Sequence, residues 1–381
     1  MNEQKIPQHW QMVRFGDIAE HISIRVNPVA GDEKKYIGLE HLDSGNLTVK
    51  RWGSEVVLKG QKLKIKKGDI LFAKRNAYLK RVALAPFDGI FSAHGMVIRP
   101  LNGLVLPEFL PFFMQSDAFM DRAIAISEGS LSPTIKWNTL SRQYFAIPSI
   151  DEQRSLLTTL KKFDQVLQLK ESLHSSVLEL KRIMISKFFS KKFLEKYKAN
   201  KVSFSDTLDI VSGQVDPTSA QYQKYPHIAP DNMEKSLAIL LPYRTAEEDG
   251  VKSGKYLFDE EHILYSKIRP NLRKVVFPKI KGLCSADVYP LKGKNGLKTD
   301  YLFYLLQSEH FNKYAIGTSM RTGMPKINRQ DLCAYTYYLP EEHVQLSIVS
   351  KLKALDEMYN ETAKAISNVF TLKMSYLNST R

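Results

Sequence analysis

What most limits the folds open to this 381-residue chain is that the sequence is written twice. The stretch "ILFAKRNAYLKRVA" at 70–83 returns as "ILYSKIRPNLRKVV" at 263–276, an offset of 193. Other segments return at nearly the same distance. "VRFGDIAEHIS" (13–23) comes back as "VSFSDTLDIVSG" (202–213), "YIGLEHLDSG" (36–45) as "HIAPDNMEKS" (227–236) and "GIFSAH" (89–94) as "GLCSAD" (282–287). "FLPFFMQSDAF" (109–119) is matched by "YLFYLLQSEHF" (301–311), and "IPSIDEQRSLLTTLKKFD" (147–164) by "LPEEHVQLSIVSKLKALD" (339–356). Solenoid repeats have periods of about 20–50 residues. A period this long means two whole domains, each with its own appended element.

Within each copy the patterning is mixed. Short apolar or alternating runs such as Gly68–Ala73, Val97–Arg99 and His262–Ser266 read as strands. "LPEFLPFFMQSDAFMDRAIA" and "TDYLFYLLQSEHFNKYAI" carry helical spacing, and "DSGN", "KKGD" and "KGKNG" mark turns. The expected fold is α/β (α+β), with globular domains at 1–150 and 200–340.

After each domain comes a stretch without Pro or Gly, at 151–199 and 341–381. Ile348, Leu352, Leu355, Tyr359, Thr362, Ile366, Val369, Lys373 and Tyr376 step by four and three, a heptad seam with two polar interruptions. The first copy reads Leu156, Leu160, Phe163, Leu167, Lys170, His174, Val177, Lys181 and Met184. At ~1.5 Å per residue these helices span about 70 and 60 Å, longer than a 140-residue domain is wide. An antiparallel coiled coil of the two, separating the domains, is the expectation. Amphipathic helices lying on their own domains would suit shorter elements.

Charge narrows the partner. Lys and Arg number 55 against 40 Asp and Glu, a net charge of +15. The excess is 20 to 14 in residues 1–150, 11 to 6 in 151–199 and 19 to 15 in 200–340, so it is not held in one basic arm. A polyanion such as nucleic acid fits this balance. No apolar run is long enough to span a membrane. The first residues lack the apolar core of a secretory signal, and two cysteines, Cys284 and Cys333, argue against a disulfide framework. A reducing cytoplasm is the expected location.

Three segments could meet DNA. In the second copy of the basic loop, Lys267, Arg269, Arg273 and Lys274 surround Pro270 and Asn271; the first copy offers Lys74, Arg75, Asn76, Lys80 and Arg81. Arg can take guanine O6 and N7 with two bonds, and Asn can do the same for adenine N6 and N7. Lys suits phosphate as a point charge. Proline stiffens the second loop. A later loop in each copy supplies Ser132, Thr134 and Lys136, then Arg321, Thr322 and Lys326. The third segment is "KGQKLKIKKGD" (59–69), a strand with one cationic face. A solvated basic hairpin, an ordinary turn and a solvent-facing strand are the plain alternatives, and only the repetition favours DNA.

Catalysis finds no foothold. No Asp/Asn-Pro-Pro-aromatic motif of a DNA amino-methyltransferase occurs. "GVKSGKY" (250–256) is one residue short of a phosphate-binding loop and ends in Tyr256. No His/Cys cluster has zinc spacing, and His41 and His94 are expected to serve structure.

Two α/β domains, each followed by a long helix opening on "IPSIDEQRSLL" or its copy, resemble the DNA specificity subunit of type I restriction-modification systems. "W..V.FGDI" from Trp10, "ILYSKIRPNLRKVV", "GLCSADVYPL" and "TGMPKINRQDL" carry the same likeness, which covers both halves. In the first half Asn76 and Ala77 stand where the second has Arg269 and Pro270, a departure from the family's pattern. The resemblance implies a non-catalytic subunit without cofactor. Each target-recognition domain would read one half of a split double-stranded DNA target. The helices would set the unspecified spacer and dock two methyltransferase subunits, and restriction-translocase subunits would join them. S-adenosylmethionine, ATP and Mg would be bound by those partners. An orphan DNA-binding protein and a basic assembly scaffold are the rival readings.

Overall fold

The computed structural model describes residues 10–101, 103–319 and 324–379. It gathers the chain into two compact units. One holds the residues up to 173 together with those from 362 onward, and the other holds 174–361. Each unit therefore takes in part of both long helices, while the segments 1–150 and 200–340 each stay whole within one unit.

In the first unit the strands run β1 (Gln11–Arg14), β2 (Ala19–Ile22), β3 (Arg25–Val26), β4 (Tyr36–Ile37), β5 (Lys62–Ile65), β6 (Ile70–Phe72), β7 (Val82–Leu84), β8 (Gly89–Phe91), β9 (Met96–Pro100) and β10 (Tyr144–Ile147). β2-β9-β6-β7 form an antiparallel sheet. β3-β5-β8-β4 form a second sheet, in which β4 lies parallel to β8. β1 pairs with β10 and closes the domain.

The apolar run "ILFA" explains the layering. Side chains alternate across a strand. Ile70 and Phe72 enter a core shared with Phe15, Phe113, Phe119 and Phe145, while Leu71 and Ala73 enter a core against Leu63, Ile65 and Phe91 of the other sheet. A strand buried on both faces reads as a continuous apolar run rather than an alternating one. The second unit repeats this, with Ile263 and Tyr265 in one core and Leu264 in the other. The copies differ at a sheet edge. β3 flanks β5 in the first unit, whereas in the second Arg244–Thr245 flanks Pro226–Ile228, the counterpart of β4.

The helical stretches are each broken once. The first forms Leu110–Phe113 and Asp117–Ala125, because the Ser116 hydroxyl accepts from the Phe119 N–H and starts a new helix. Ser308 does the same for Phe311, between Thr299–Leu305 and Glu309–Ser319. Side-chain capping of this kind satisfies N–H groups that a helix start leaves open.

The long helices run Ile150–Phe188 and Glu342–Ser379. The first stops short of the expected 199. Ser190 caps a separate turn at Lys191–Glu195, and Phe189 packs on Tyr301 at 4.9 Å between ring centres. Its 39 residues make about 58 Å rather than 70. A buried glutamine stitches each helix to its domain. Gln153 Oε1 accepts from the Leu106 N–H, and its Nε2 donates to the Leu104 and Pro148 carbonyls. Gln345 repeats the pattern on Lys298, Gly296 and Pro340. This is the physical content of the "EQ" at the helix start.

The helix pairing is antiparallel. In the second unit, partners climb along one helix and descend the other: His174 with Tyr359, Lys181 with Asp356, Phe188 with Lys351. In the first unit Phe163 meets Tyr376. The polar interruption Lys373 is fully buried. Its Nζ reaches Asp164 at 2.7 Å, the Gly45 carbonyl at 3.0 Å and Gln115 Oε1 at 3.3 Å. Gly45 has φ +69°, and a Cβ there would run into the Phe370 ring.

Removing one partner of a buried pair is far costlier than replacing both. Asp164→Ala is expected to lower stability by about 3 kcal/mol, at the low end because Asp164 is partly exposed. Asp164→Ala with Lys373→Met should recover most of that loss. Thermal denaturation of the two variants checks the order.

Candidate nucleic-acid interface

Each basic loop is a tight strand-to-strand connection after the central strand of its first sheet. In the first unit a 3-10 turn, Ala77–Leu79, is flanked by two left-handed residues, Asn76 at φ +56° and Lys80 at φ +49°. In the second the turn is Pro270–Leu272, between Arg269 at φ +47° and Arg273 at φ +52°. Non-glycine residues in this region carry strain of about 1–3 kcal/mol each, and such strain gathers at functional sites. The turn geometry is identical in plan although Arg269–Pro270 stands where the first copy has Asn76–Ala77.

What holds the strained backbone is the later loop. The Asn76 N–H donates to the Pro133 carbonyl at 2.8 Å, and the Ile135 N–H donates to the Lys74 carbonyl at 3.0 Å. Arg269 to Pro325, at 2.7 Å, and Ile327 to Lys267, at 2.9 Å, repeat both bonds. The two candidate loops of each domain are therefore one cross-braced feature. Arg75 also donates to Ser132 Oγ at 2.9 Å, and Thr134 bonds the Ser132 carbonyl. Arg321 and Thr322 lie outside the described residues.

The charges divide into two classes. Lys80 pairs with Asp117 at 2.8 Å and Arg273 with Glu309 at 2.9 Å, in equivalent places. Arg81 donates to the Leu39 carbonyl at 3.2 Å and Lys274 to the Pro230 carbonyl at 2.7 Å, again in equivalent places. These four cations fasten the loop to its own domain. Lys267 is buried, with Nζ 3.8 Å from Asp287 and 5.4 Å from the Tyr289 ring centre. Burial, then the neighbouring Lys326, pushes its ammonium below the usual lysine range. Lys74 is half-buried and shifted the same way, by burial and then by Arg25.

Arg269, Asn271, Lys136 and Lys326 face solvent. Arg269 and Asn271 have no side-chain partner among the described residues, while Lys136 pairs with Glu128 at 2.7 Å. Sequence reasoning missed the apolar tips beside these cations. Tyr78 is 57% exposed, Leu131 97% and Met324 58%. Exposed apolar side chains among cations suit a thymine methyl or a sugar face. In the cationic strand, Leu63 and Ile65 are buried while Lys64 and Lys66 face water. Among the described residues no cluster of His, Cys, Asp or Glu could hold a metal, and no helix is long and apolar enough to cross a membrane.

A family model, the type I restriction modification DNA specificity domain, matches residues 7–179 and again 197–371. The chain belongs to that family. The two matches coincide with the two copies of the repeat. Among similar proteins, the specificity subunit of the type I restriction enzyme EcoDI from Escherichia coli is 26% identical, over 99% of this chain and 89% of its own. The MjaVIII specificity subunit from Methanocaldococcus jannaschii is 22% identical, over 99% and 93%. The fold is shared with a chain solved in work on the assembly and conformational transition of a type I R-M system, at a TM-score of 0.61 and 19% identity, covering 99% of this chain and 98% of that one. The S subunit from M. genitalium gives a TM-score of 0.58 at 14% identity, covering 100% and 97%.

The left-handed backbone at Arg269 makes a stability prediction separate from any DNA contact. Arg269→Gly should leave stability unchanged or raise it by up to about 1 kcal/mol, whereas Arg269→Val should lower it by about 1–2 kcal/mol. Chemical denaturation midpoints of the three proteins test that ranking.

Proposed function

We propose that this chain is the sequence-reading subunit of a type I restriction-modification assembly, in which each domain reads one half of a split double-stranded DNA target. One observation carries the proposal. Both units build the same strained loop, braced by the same later loop and the same fastening cations, and differ in what the loop tips present. Tyr78 corresponds in the repeat to Asn271, Asn76 to Arg269, Arg75 to Ile268 and Ser132 to Met324. A common frame with divergent tips is what two readers of unlike half-sites need.

The roles divide accordingly. Arg269 and Asn271 are base-edge candidates in the second domain, and Asn76, which holds the place of Arg269, is the candidate in the first. Lys136 and Lys326 are suited to phosphate. Lys80, Arg81, Arg273 and Lys274 position the loop. The paired helices dock two methyltransferase subunits, and restriction-translocase subunits complete the assembly in the cytoplasm. The subunit itself is non-catalytic and holds no cofactor; S-adenosylmethionine, ATP and Mg act on the partner chains.

Co-purification with a methyltransferase chain, and loss of one class of methylated sites on deletion of this gene, test the whole reading. Arg269→Ala tests the assignment. If it reads a base, discrimination at one position of one half-site should fall by about 1–3 kcal/mol while other positions keep theirs. Weakening that is uniform across sequences, with a shallower salt dependence, marks a phosphate contact instead.

A further inference from the structure

Position 94 and its counterpart 287 sit at the same turn and carry opposite chemistry. His94 follows β8 and precedes β9, so it stands where the two sheets of the first domain meet. Its N–H donates to Ser92 Oγ at 3.3 Å, as the Asp287 N–H does to Ser285 Oγ at 3.2 Å.

Strand register surrounds His94 with cations. β6 pairs with β9 through Phe72 and Met96, and continuing that register brings Lys74 opposite His94. β2 pairs with β9 through Ile22 and Val97, which carries the chain toward Arg25 on the other side. β5 pairs with β8 through Leu63 and Phe91, so Lys62 lies opposite Ser92. Arg75 follows Lys74. These groups come from four separate segments, and no carboxylate is ion-paired with any of them among the described residues. In the second domain the same turn carries Asp287, beside Lys267.

We propose that this turn is an anion site for one DNA backbone phosphate, walled by Arg25, Lys62, Lys74, Arg75 and His94, and that His94 takes up a proton as the phosphate docks. The proposal rests on the DNA reading above and deepens it. Five like-charged or chargeable groups, with no counter-ion among the described residues, lose their mutual repulsion when a phosphate arrives. The two domains would then differ, because Asp287 supplies the second turn with its own anion.

The electrostatics agree in direction. Partial desolvation of this exposed side chain, then Arg75, Lys74 and Lys62, holds the His94 imidazolium below the ordinary histidine range, so the free side chain is mostly neutral at pH 7.5. His21 on β2 is shifted the same way, by burial and then by Lys74. A docked phosphate stabilises the imidazolium and raises its pKa. The bound state then holds more protons than the free state. Affinity must rise as pH falls through the interval between the two values, and level off below the free value.

The test uses the full chain with its methyltransferase partner, and duplexes of about 40 base pairs, the mapped target and a scrambled control, at constant salt. Wild-type affinity should rise about five- to tenfold from pH 7.8 to 6.0 on both duplexes, since a phosphate contact carries no sequence. His94→Gln should flatten that rise without changing the thermal midpoint, and His41→Gln should keep it. A flat wild-type profile, or a slope that survives His94→Gln, would overturn the site. Sequence-selective binding with a flat profile leaves the DNA reading standing, whereas no DNA binding at any pH removes both. Inorganic phosphate, titrated at constant ionic strength, separates the possible sources of the anion. It should compete no better than chloride; specific competition would reassign the site to a free phosphate-bearing ligand.

Discussion

In the first unit both long helices and the domain meet at one buried ammonium. Lys373 comes from the second long helix, Asp164 from the first, and Gly45 and Gln115 from the domain, and all three reach the same nitrogen. A charge with no exposed surface tolerates little displacement of its partners, because each lost bond leaves a charged group desolvated. An apolar seam can slide by a residue at modest cost, but this contact cannot. The second unit has the counterpart, Lys181 with Asp356 at 2.5 Å. There Asp356 also accepts from the Tyr304 hydroxyl. Helix register and domain placement are thus specified by the same few polar atoms, at equivalent places in the repeat.

The repetition made the architecture legible, and the structure adds a second reason for the charge that the copies share. Lys80 and Arg273, or Arg81 and Lys274, keep their charge across the two copies, and at sequence level that persistence favoured a common DNA role. The structure gives each of those pairs the same internal partner. Retention across copies is what a shared frame requires, whereas two readers of different half-sites must diverge. The positions that differ are largely exposed: Tyr78 and Asn271, His94 and Asp287.

Other features were hidden for identifiable reasons. Alternation and apolar runs located the strands, and the heptad seam located the long helices. Nothing local announces that Asn76, Lys80, Arg269 and Arg273 adopt left-handed backbone, since the hydrogen bonds that hold two of them come from residues some 55 positions away. The absence of Pro and Gly suggested a first helix continuing to 199. It ends where Phe189 finds an aromatic partner and Ser190 offers a cap, a tertiary contact overriding propensity. The cationic neighbours of His94 are brought together only by strand register, which no local pattern shows.

The division of the long helices between units bears on how the chain is made. The first unit's core includes Leu377, and Asn378 bonds both the backbone N–H and the carboxylate of Asp117 at its helix start. Those residues emerge from the ribosome after the whole second unit has been synthesised. The domain translated first is the one completed last, and until then the face around Gln115 and Asp117 waits without its helix. Domains generally fold in the order they are synthesised. Here that order is inverted for the final step, so a chain stopped before residue 377 would leave the domain at 1–150 without the helix that completes it.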